Sequence, residues 1–348
     1  MEKISVGILG ATGYTGGELV RLLARHPAAR ITWVTSERYA ERPLTDAFPH
    51  LRSAGNLVCQ KLVPNRVAVE CQIVFCAMPH LASMDVIPQL LGQGCRVVDL
   101  SADFRLRDAK VFREWYGAEH KAADLLGEAV YGLPERHRNP TRRARLVANP
   151  GCYPTSVLLA LGPLLEADAI EAGGIIIDSK SGVSGAGRAA QQGNLLAELQ
   201  DGFRPYKVTG HRHIAEMEQE LSGYAGRPMQ IRFTPHLLPQ SRGILSTCYV
   251  RLRGDRSAAS VRELLAWRYE QEPFVRILPE GELPATSDVR GSNYCHIGVT
   301  VDKRTGWLMV FSAIDNLVKG AAGQAIQNFN LMMGRPETEG LDQVALFP

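Results

Sequence analysis

The sequence predicts an α/β protein: a doubly wound, largely parallel sheet joined to an α+β domain on a mostly antiparallel sheet. Three observations carry this expectation. Short apolar and β-branched runs alternate with amphipathic stretches over residues 4–101. Gly10, Gly13 and Gly16 fall between the first such run and the first helix, where a Rossmann-type sheet turns from strand to helix. Beyond residue 152 the apolar runs lengthen and alternate between faces, as strands with one covered face do.

ISVGILG (4–10) reads as a strand, GELVRLLARHP (17–27) as a helix and ARITWVTS (29–36) as the second strand. CQIVFCAM (71–78) is a third strand, MDVIPQLLGQG (84–94) a helix and CRVVDLS (95–101) a further strand. None alternates cleanly, as expected where helices cover both faces of a parallel sheet. RLVA (145–148) ends a strand that leads into a constrained corner. The second domain takes GGIIIDSKSG, MQIRFTPHLLP, GILSTCYVRL, SNYCHIGVTVD and GWLMVFSAID as strands, with helices from His213 and over 257–273. A last helix, 316–334, is expected to return to the first domain. The boundaries are therefore placed at 1–149, completed by 316–348, and at 150–315.

A chain of 348 residues is long enough for two domains with ample cores. Hydrophobic residues at 45% and charged residues at 22% are ordinary for a globular chain. A net charge of +3 does not point to nucleic acid, and the basic run RHRNPTRRAR (136–145) reads as a solvated loop. No run approaches the ~20 apolar residues of a membrane helix. MEKISVGILG lacks a signal-peptide layout. Seven scattered cysteines without a CxxC pair or zinc-ligand spacing predict no metal site and a cytoplasmic protein.

GATGYTG, residues 10–16, reads as a pyrophosphate cradle. Its glycines allow a tight turn and close backbone approach, and Thr12, Tyr14 and Thr15 lie among them at the helix start. The second strand ends in Ser36, Glu37 and Arg38, about 20 residues on, where an acid favours NAD and an arginine the 2′-phosphate of NADP. Ser36 and Arg38 favour NADP and Glu37 opposes it; NADP is the expected cofactor.

Cys152 sits in RLVANPGCYPTSVLLALGPLL. Pro150 fixes φ, Gly151 permits angles closed to other residues, and Pro154 suits a first helical turn. Such a corner places the thiol at or just before a helix N-terminus, where unpaired N–H groups favour a thiolate. The other reading is a small buried core cysteine.

GATGYTGGELVRLL, VDLSADFRL, VYGLPE, ANPGCYPT, SGVSGAGR, GHRHIAEM and NLVKGAAGQA, in this order, resemble the N-acetyl-gamma-glutamyl-phosphate reductases. These are relatives of the aspartate-semialdehyde dehydrogenases, and the resemblance runs the length of the chain. It implies NADPH-dependent reduction of N-acetyl-L-glutamyl 5-phosphate to the 5-semialdehyde in arginine biosynthesis, through a thioester on Cys152. It implies His213 as general acid/base and His211 as a substrate contact, two roles open to exchange. Arg105, Arg188 and Ser181 would meet the acyl-phosphate substrate, together with Lys180 and Arg212. Gly182, Gly185 and Asn316 would border the nicotinamide, and the SGVSGAGR loop would be mobile. A homodimer or homotetramer is implied as well.

Three rivals remain at this level. A reductase of carrier-protein-linked aminoadipyl phosphate, in lysine biosynthesis, would use the same nucleophile and cofactor but lacks the NPGCYPT form. A non-catalytic NADP-binding regulator would explain Gly10 to Gly16 and leave Cys152, His213 and Arg105 idle. Aspartate-semialdehyde dehydrogenase is disfavoured by the His211-Arg212-His213 triplet.

Overall fold

Six strands make the first sheet: β1 (Ile4–Leu9), β2 (Ala29–Val34), β3 (Ile73–Cys76), β4 (Arg96–Asp99), β5 (Val130–Tyr131) and β6 (Leu146–Ala148). Every pair is parallel and the order is β2-β1-β3-β4-β6-β5. Their central residues, among them Ile8, Val74, Phe75, Val97, Val98 and Val147, are sealed from solvent, which accounts for the absence of alternation. The chain winds outward from β1 to β2, then restarts on the other side of β1 with β3. This reversal leaves a crevice at the carboxyl end of β1, where Gly10 follows. Residues 2–347 are described in this computed structural model.

Two expectations change here. The first helix is Tyr14–Leu23, beginning earlier than the apolar pattern, because Gly13 caps it and Gly16 and Gly17 lie inside it. The basic run is no loop. It forms the helix Pro134–Arg143, kinked at His137, and Arg138 pairs with Glu337 at 2.8 Å.

The second sheet contains β7 (Ile176–Gly182), β8 (Arg204–Pro205), β9 (Arg232–Leu238), β10 (Ile244–Arg251), β11 (Val275–Ile277), β12 (Cys295–Asp302) and β13 (Trp307–Ile314). Its order is β11-β12-β13-β10-β7-β9-β8, antiparallel except at β11/β12 and β7/β9. The helix Cys152–Glu166 packs on β10 and β13, and the helix His213–Ala225 packs on it in turn. A hydroxyl chain fastens that helix to the sheet: Ser156 and Ser179 each lie 2.7 Å from Ser246.

The chain divides into two units, Met1–Pro150 with Ala321–Asp342 and Gly151–Gly320 with Gln343–Pro348. The last helix, Gly323–Met332, folds within the first unit against the helix Pro134–Arg143. It does not start at Asn316. The buried Asp315 carboxylate accepts from the amides of Leu317 and Val318, and a π turn, Val318–Ala322, precedes the helix. Residues 316–320 therefore fold with the second unit. Among the described residues no helix is long and apolar enough to cross a membrane, and no cluster of His, Cys, Asp or Glu is arranged to hold a metal.

Close packing of the two second-unit helices depends on Gly162, where a Cβ would stand 2.6 Å from the Tyr224 ring. Gly162→Ala should overpack this contact and cost about 1–3 kcal/mol. Urea unfolding will read this as a lower midpoint at constant slope, and an unchanged midpoint would show that the helices separate freely.

Candidate active site

In the first unit the glycine turn is built as a cradle. Gly10 holds φ +82°, and a Cβ there would stand 2.4 Å from the Ala77 carbonyl. A Cβ on Gly16 would stand 2.3 Å from the Gly10 carbonyl, so neither position admits a side chain. Gly13 is extended and caps the helix, while the exposed Tyr14 and the adjoining Thr15 form its first turn. Thr12 Oγ1 lies 2.8 Å from Ser36 Oγ, which also accepts from the Tyr39 amide. Glu37 and Arg38 are exposed beyond Ser36, and the Arg38 guanidinium stands 5.7 Å from the Tyr39 ring centre. The bare backbone, the helix start and the Ser36–Arg38 corner fit a dinucleotide with a 2′-phosphate.

Arg105 lies elsewhere in the same unit and is buried. Its Nε donates to the Asn149 carbonyl at 2.7 Å and its Nη2 to the Leu100 carbonyl at 2.9 Å. Asn149 is held from every side. Its amide donates to Asp99, its side chain donates to the Ala321 carbonyl at 3.2 Å, and its Oδ1 accepts from Asn328 at 3.1 Å. Burial, reinforced by Asp103, pushes the Asp99 carboxyl up to about 7 against the bonds from Ser101 and the charge of Arg105.

In the second unit Cys152 is the first residue of its helix, with Gly151 as the cap. The other six cysteines are buried, and burial raises Cys71 to about 11 and Cys248 to about 12. The corner is boxed in. A Cβ on Gly151 would stand 2.5 Å from His213 Nε2, and one on Gly320 would stand 2.8 Å from the Cys152 Cβ. The Gly151 amide donates to the buried Glu216 carboxylate at 2.7 Å. His213 and Glu216 lie one turn apart on the same helix, so one helical face grips the corner twice.

His211 precedes that helix, and its Nδ1 accepts from the His213 amide at 3.2 Å. The remaining proton of the neutral ring is therefore on Nε2, 3.5 Å from the Tyr206 hydroxyl. Burial, with Lys207 and Arg212 adding to it, lowers the ring to about 4. Tyr153, Tyr206 and Phe233 stand edge-on to this ring at 5.5 Å each. Tyr206 donates to the Tyr153 hydroxyl at 3.1 Å.

Ser181 is buried on the side of the sheet that carries the Cys152 helix, and its hydroxyl donates to Gly182. Lys180 alternates to the opposite side and pairs with Asp178 at 2.7 Å, away from the position expected of a substrate contact. The start of the SGVSGAGR loop is fastened. Gly182, Val183 and Ser184 donate their amides to Gly243, Gln240 and Ser241. Asn316 accepts from the Gly243 amide at 2.8 Å and donates to Ser184 Oγ at 2.9 Å, so its carboxamide holds two loops together. A Cβ on Gly182 would stand 2.8 Å from the Arg242 amide; Gly185 and Arg188 are exposed.

Cys152, His211, His213 and Ser181 thus belong to one unit, and the cradle and Arg105 to the other. Tyr153, Glu216 and Gly320 escaped the sequence reading although they stand inside the ANPGCYPT, GHRHIAEM and NLVKGAAGQA motifs. Nothing in the pattern of the chain singled out Tyr206 or Phe233.

Residues 5–144 match the family model described as semialdehyde dehydrogenase, NAD binding domain, and 152–316 the one described as semialdehyde dehydrogenase, dimerisation domain. Aspartate semialdehyde dehydrogenase II of Vibrio cholerae, solved with ASA, superposes with a TM-score of 0.75 at 19% identity, covering 96% of this chain and 99% of that one. Aspartate semialdehyde dehydrogenase of Candida albicans, solved with NADP, gives 0.66 at 18% identity over 95% of this chain and 99% of that one. Both share the fold. The class defined by fold and site is the two-domain semialdehyde dehydrogenase. A Magnetococcus marinus protein named N-acetyl-gamma-glutamyl-phosphate reductase is 57% identical over 347 residues, 100% of this chain and 99% of that one. The chain belongs to the N-acetyl-gamma-glutamyl-phosphate reductase family.

Gly151→Ala should drive the His213 ring off the corner and lower kcat about 100-fold, the usual effect of an ångström of misplacement within a site. Steady-state kinetics check this, with NADPH affinity expected to hold.

His211 makes stability pH-dependent. The unfolded ring takes its proton near 6.5 and the folded ring only near 4, so its contribution is complete above 6.5 and fades as pH falls toward 4. Its share of the loss is on the order of 2–3 kcal/mol. Thermal melts of His211→Asn should fall less steeply across that window than those of the parent. Equal slopes would assign the effect to His26, His120 and His296, which burial lowers as well.

Proposed function

We propose that this protein reduces N-acetyl-L-glutamyl 5-phosphate to N-acetyl-L-glutamate 5-semialdehyde, using NADPH and a thioester on Cys152. The observation that carries the proposal is a partly exposed thiol on the first residue of a buried helix, with His213 against its cap. The helix N-terminus stabilises the thiolate. Cys152 attacks the acyl carbon, a C–S bond forms, the bond to the phosphate oxygen breaks and phosphate leaves. A first-turn amide of the Cys152 helix serves the developing oxyanion, the Gly151 amide being given to Glu216.

Gly10, Gly13 and Gly16, with Thr12, Tyr14 and Thr15, hold the pyrophosphate, and Ser36 and Arg38 the 2′-phosphate. NADPH bound there supplies the hydride that brings the thioester to the aldehyde level. His213 protonates the former carbonyl oxygen and takes the proton back when the C–S bond breaks, returning the Cys152 thiolate. His211 has its Nδ1 committed to the helix and its charge suppressed, so it acts as a fixed neutral Nε2–H donor toward substrate. Arg188 and Ser181 meet the anionic substrate, and Arg105 keeps Asn149 in place. Gly182 and Gly185 border the nicotinamide on a loop that Asn316 secures. Arginine biosynthesis in the cytoplasm, by a homodimer or homotetramer assembled through the second unit, is the setting this chemistry fits.

The test runs the reaction backward: N-acetyl-glutamate 5-semialdehyde with phosphate should reduce NADP, and the aminoadipyl semialdehyde should not. Cys152→Ser should abolish turnover and leave NADPH binding intact. Preferred turnover of the aminoadipyl compound, or an active serine variant, would overturn the proposal.

A further inference from the structure

One buried carboxylate of the second unit ties together three loops and has no part in the proposed chemistry. Asp315 directly follows β13 and is sealed from solvent. β13 lies between β10 and β12, and its last residue, Ile314, pairs with Ile244 on one side and Cys295 on the other. Both neighbours start at that level, so the segments leading into them converge on Asp315. A carboxylate removed from water persists where hydrogen bonds and an opposite charge replace its hydration. Oδ2 accepts from the Gly291 amide at 2.7 Å and faces Arg242 Nη1 at 3.4 Å. Oδ1 accepts from the Leu317 amide at 2.8 Å and the Val318 amide at 3.2 Å. The backbone carbonyl of Asp315 accepts from the Gly320 amide at 2.9 Å.

We propose that Asp315 is the positioning residue of the Cys152 corner, acting through Gly320 on one side and the 240–243 loop on the other. The inference rests on the role proposed for Cys152 and adds what holds that residue in register. Gly320 lies so close that a Cβ on it would stand 2.8 Å from the Cys152 Cβ. With no slack in this contact, a shift of the 315–320 turn moves the thiol relative to the amides of its own helix start. The Arg242 amide lies 2.8 Å from the place of a Cβ on Gly182, and Asn316 binds Gly243 and Ser184. The Asp315–Arg242 pair therefore also sets where the SGVSGAGR loop begins. The Gly291 amide is aimed by a turn at φ +74°. Leu346 covers that turn, 3.1 Å from the place of a Cβ on Gly291, with its amide on the Arg290 carbonyl at 2.8 Å. Asparagine cannot stand in for this carboxylate. It accepts at one oxygen only, and its NH2 group would meet either Gly291 and Arg242 or Leu317 and Val318, all of them donors.

Asp315→Asn should lower kcat about 100-fold at an unchanged KM for the acyl phosphate, the mark of a displaced group rather than a lost substrate contact. The other six cysteines are buried, so iodoacetamide reads Cys152. Its alkylation at pH 7 should slow by about fivefold, with the pH profile displaced upward, as the thiolate loses its helix terminus. NADPH affinity should hold, since the cradle belongs to the other unit. Gly291→Ala, strained at its positive φ, loosens the same carboxylate from outside and should shift kcat and alkylation in the same direction by less. It also decides the matter if Asp315→Asn does not fold. Parental kcat and a parental alkylation profile in a folded variant, with only a lower urea midpoint, would overturn the proposal and leave Asp315 a stabilising residue. A raised KM at parental kcat would overturn it too, by placing Asp315 in substrate binding. If the parent fails to turn over the acetyl-glutamyl compound, the proposed function falls while the alkylation profile still tests this inference.

Discussion

The hydrogen bond from the Gly151 amide to the buried Glu216 carboxylate is the constraint on which the rest of the candidate site depends. A carboxylate removed from water is costly unless it is hydrogen-bonded, so the bond ties the His213 helix to the cap of the Cys152 helix. Once that register is set, the His213 ring lies against Gly151 with no room for a Cβ between them. Cys152 and His213 are thus positioned by backbone and packing, with little left to side-chain freedom.

The residue three before Cys152 is pinned just as firmly, inside the other unit. Asn149 receives or makes bonds with Asp99, Arg105, Ala321 and Asn328, on three separate stretches of the chain. The short connection from β6 to the Cys152 helix therefore carries a dense set of buried polar contacts, those of Asn149 made within the first unit and that of Gly151 within the second. Such networks are rigid because breaking one member leaves its partner buried and unpaired. Arg105 belongs to this framework through both its guanidinium edge and its charge near Asp99, a role that a reading of VDLSADFRL as a phosphate motif does not contain.

His211 shows how position alone separates two similar residues. It lies two residues from His213, but its Nδ1 serves the start of the helix and three aromatic rings crowd its own. Tautomer and burial separate the two rings that the His-Arg-His triplet leaves alike. Asn316 changes in the same way. From its motif it reads as the opening of a helix; in the fold it follows β13 and joins two loops.

The sequence by itself determined the parallel sheet, the glycine cradle and a helix start at or just after Cys152, whereas the pairing of that cysteine with the histidines came only through the family resemblance. Each rests on local rules: strands buried on both faces lose alternation, a tight turn needs Gly10 and Gly16, and Pro150 with Gly151 ends one element as the next begins. Tertiary structure alone decided which histidine is held neutral, that Lys180 turns away from the Ser181 side, that the basic run is helical and that Tyr206 reaches Tyr153. Those outcomes depend on contacts between residues far apart in the chain and on removal of water around them. Neither quantity is written in the spacing of residues along the sequence.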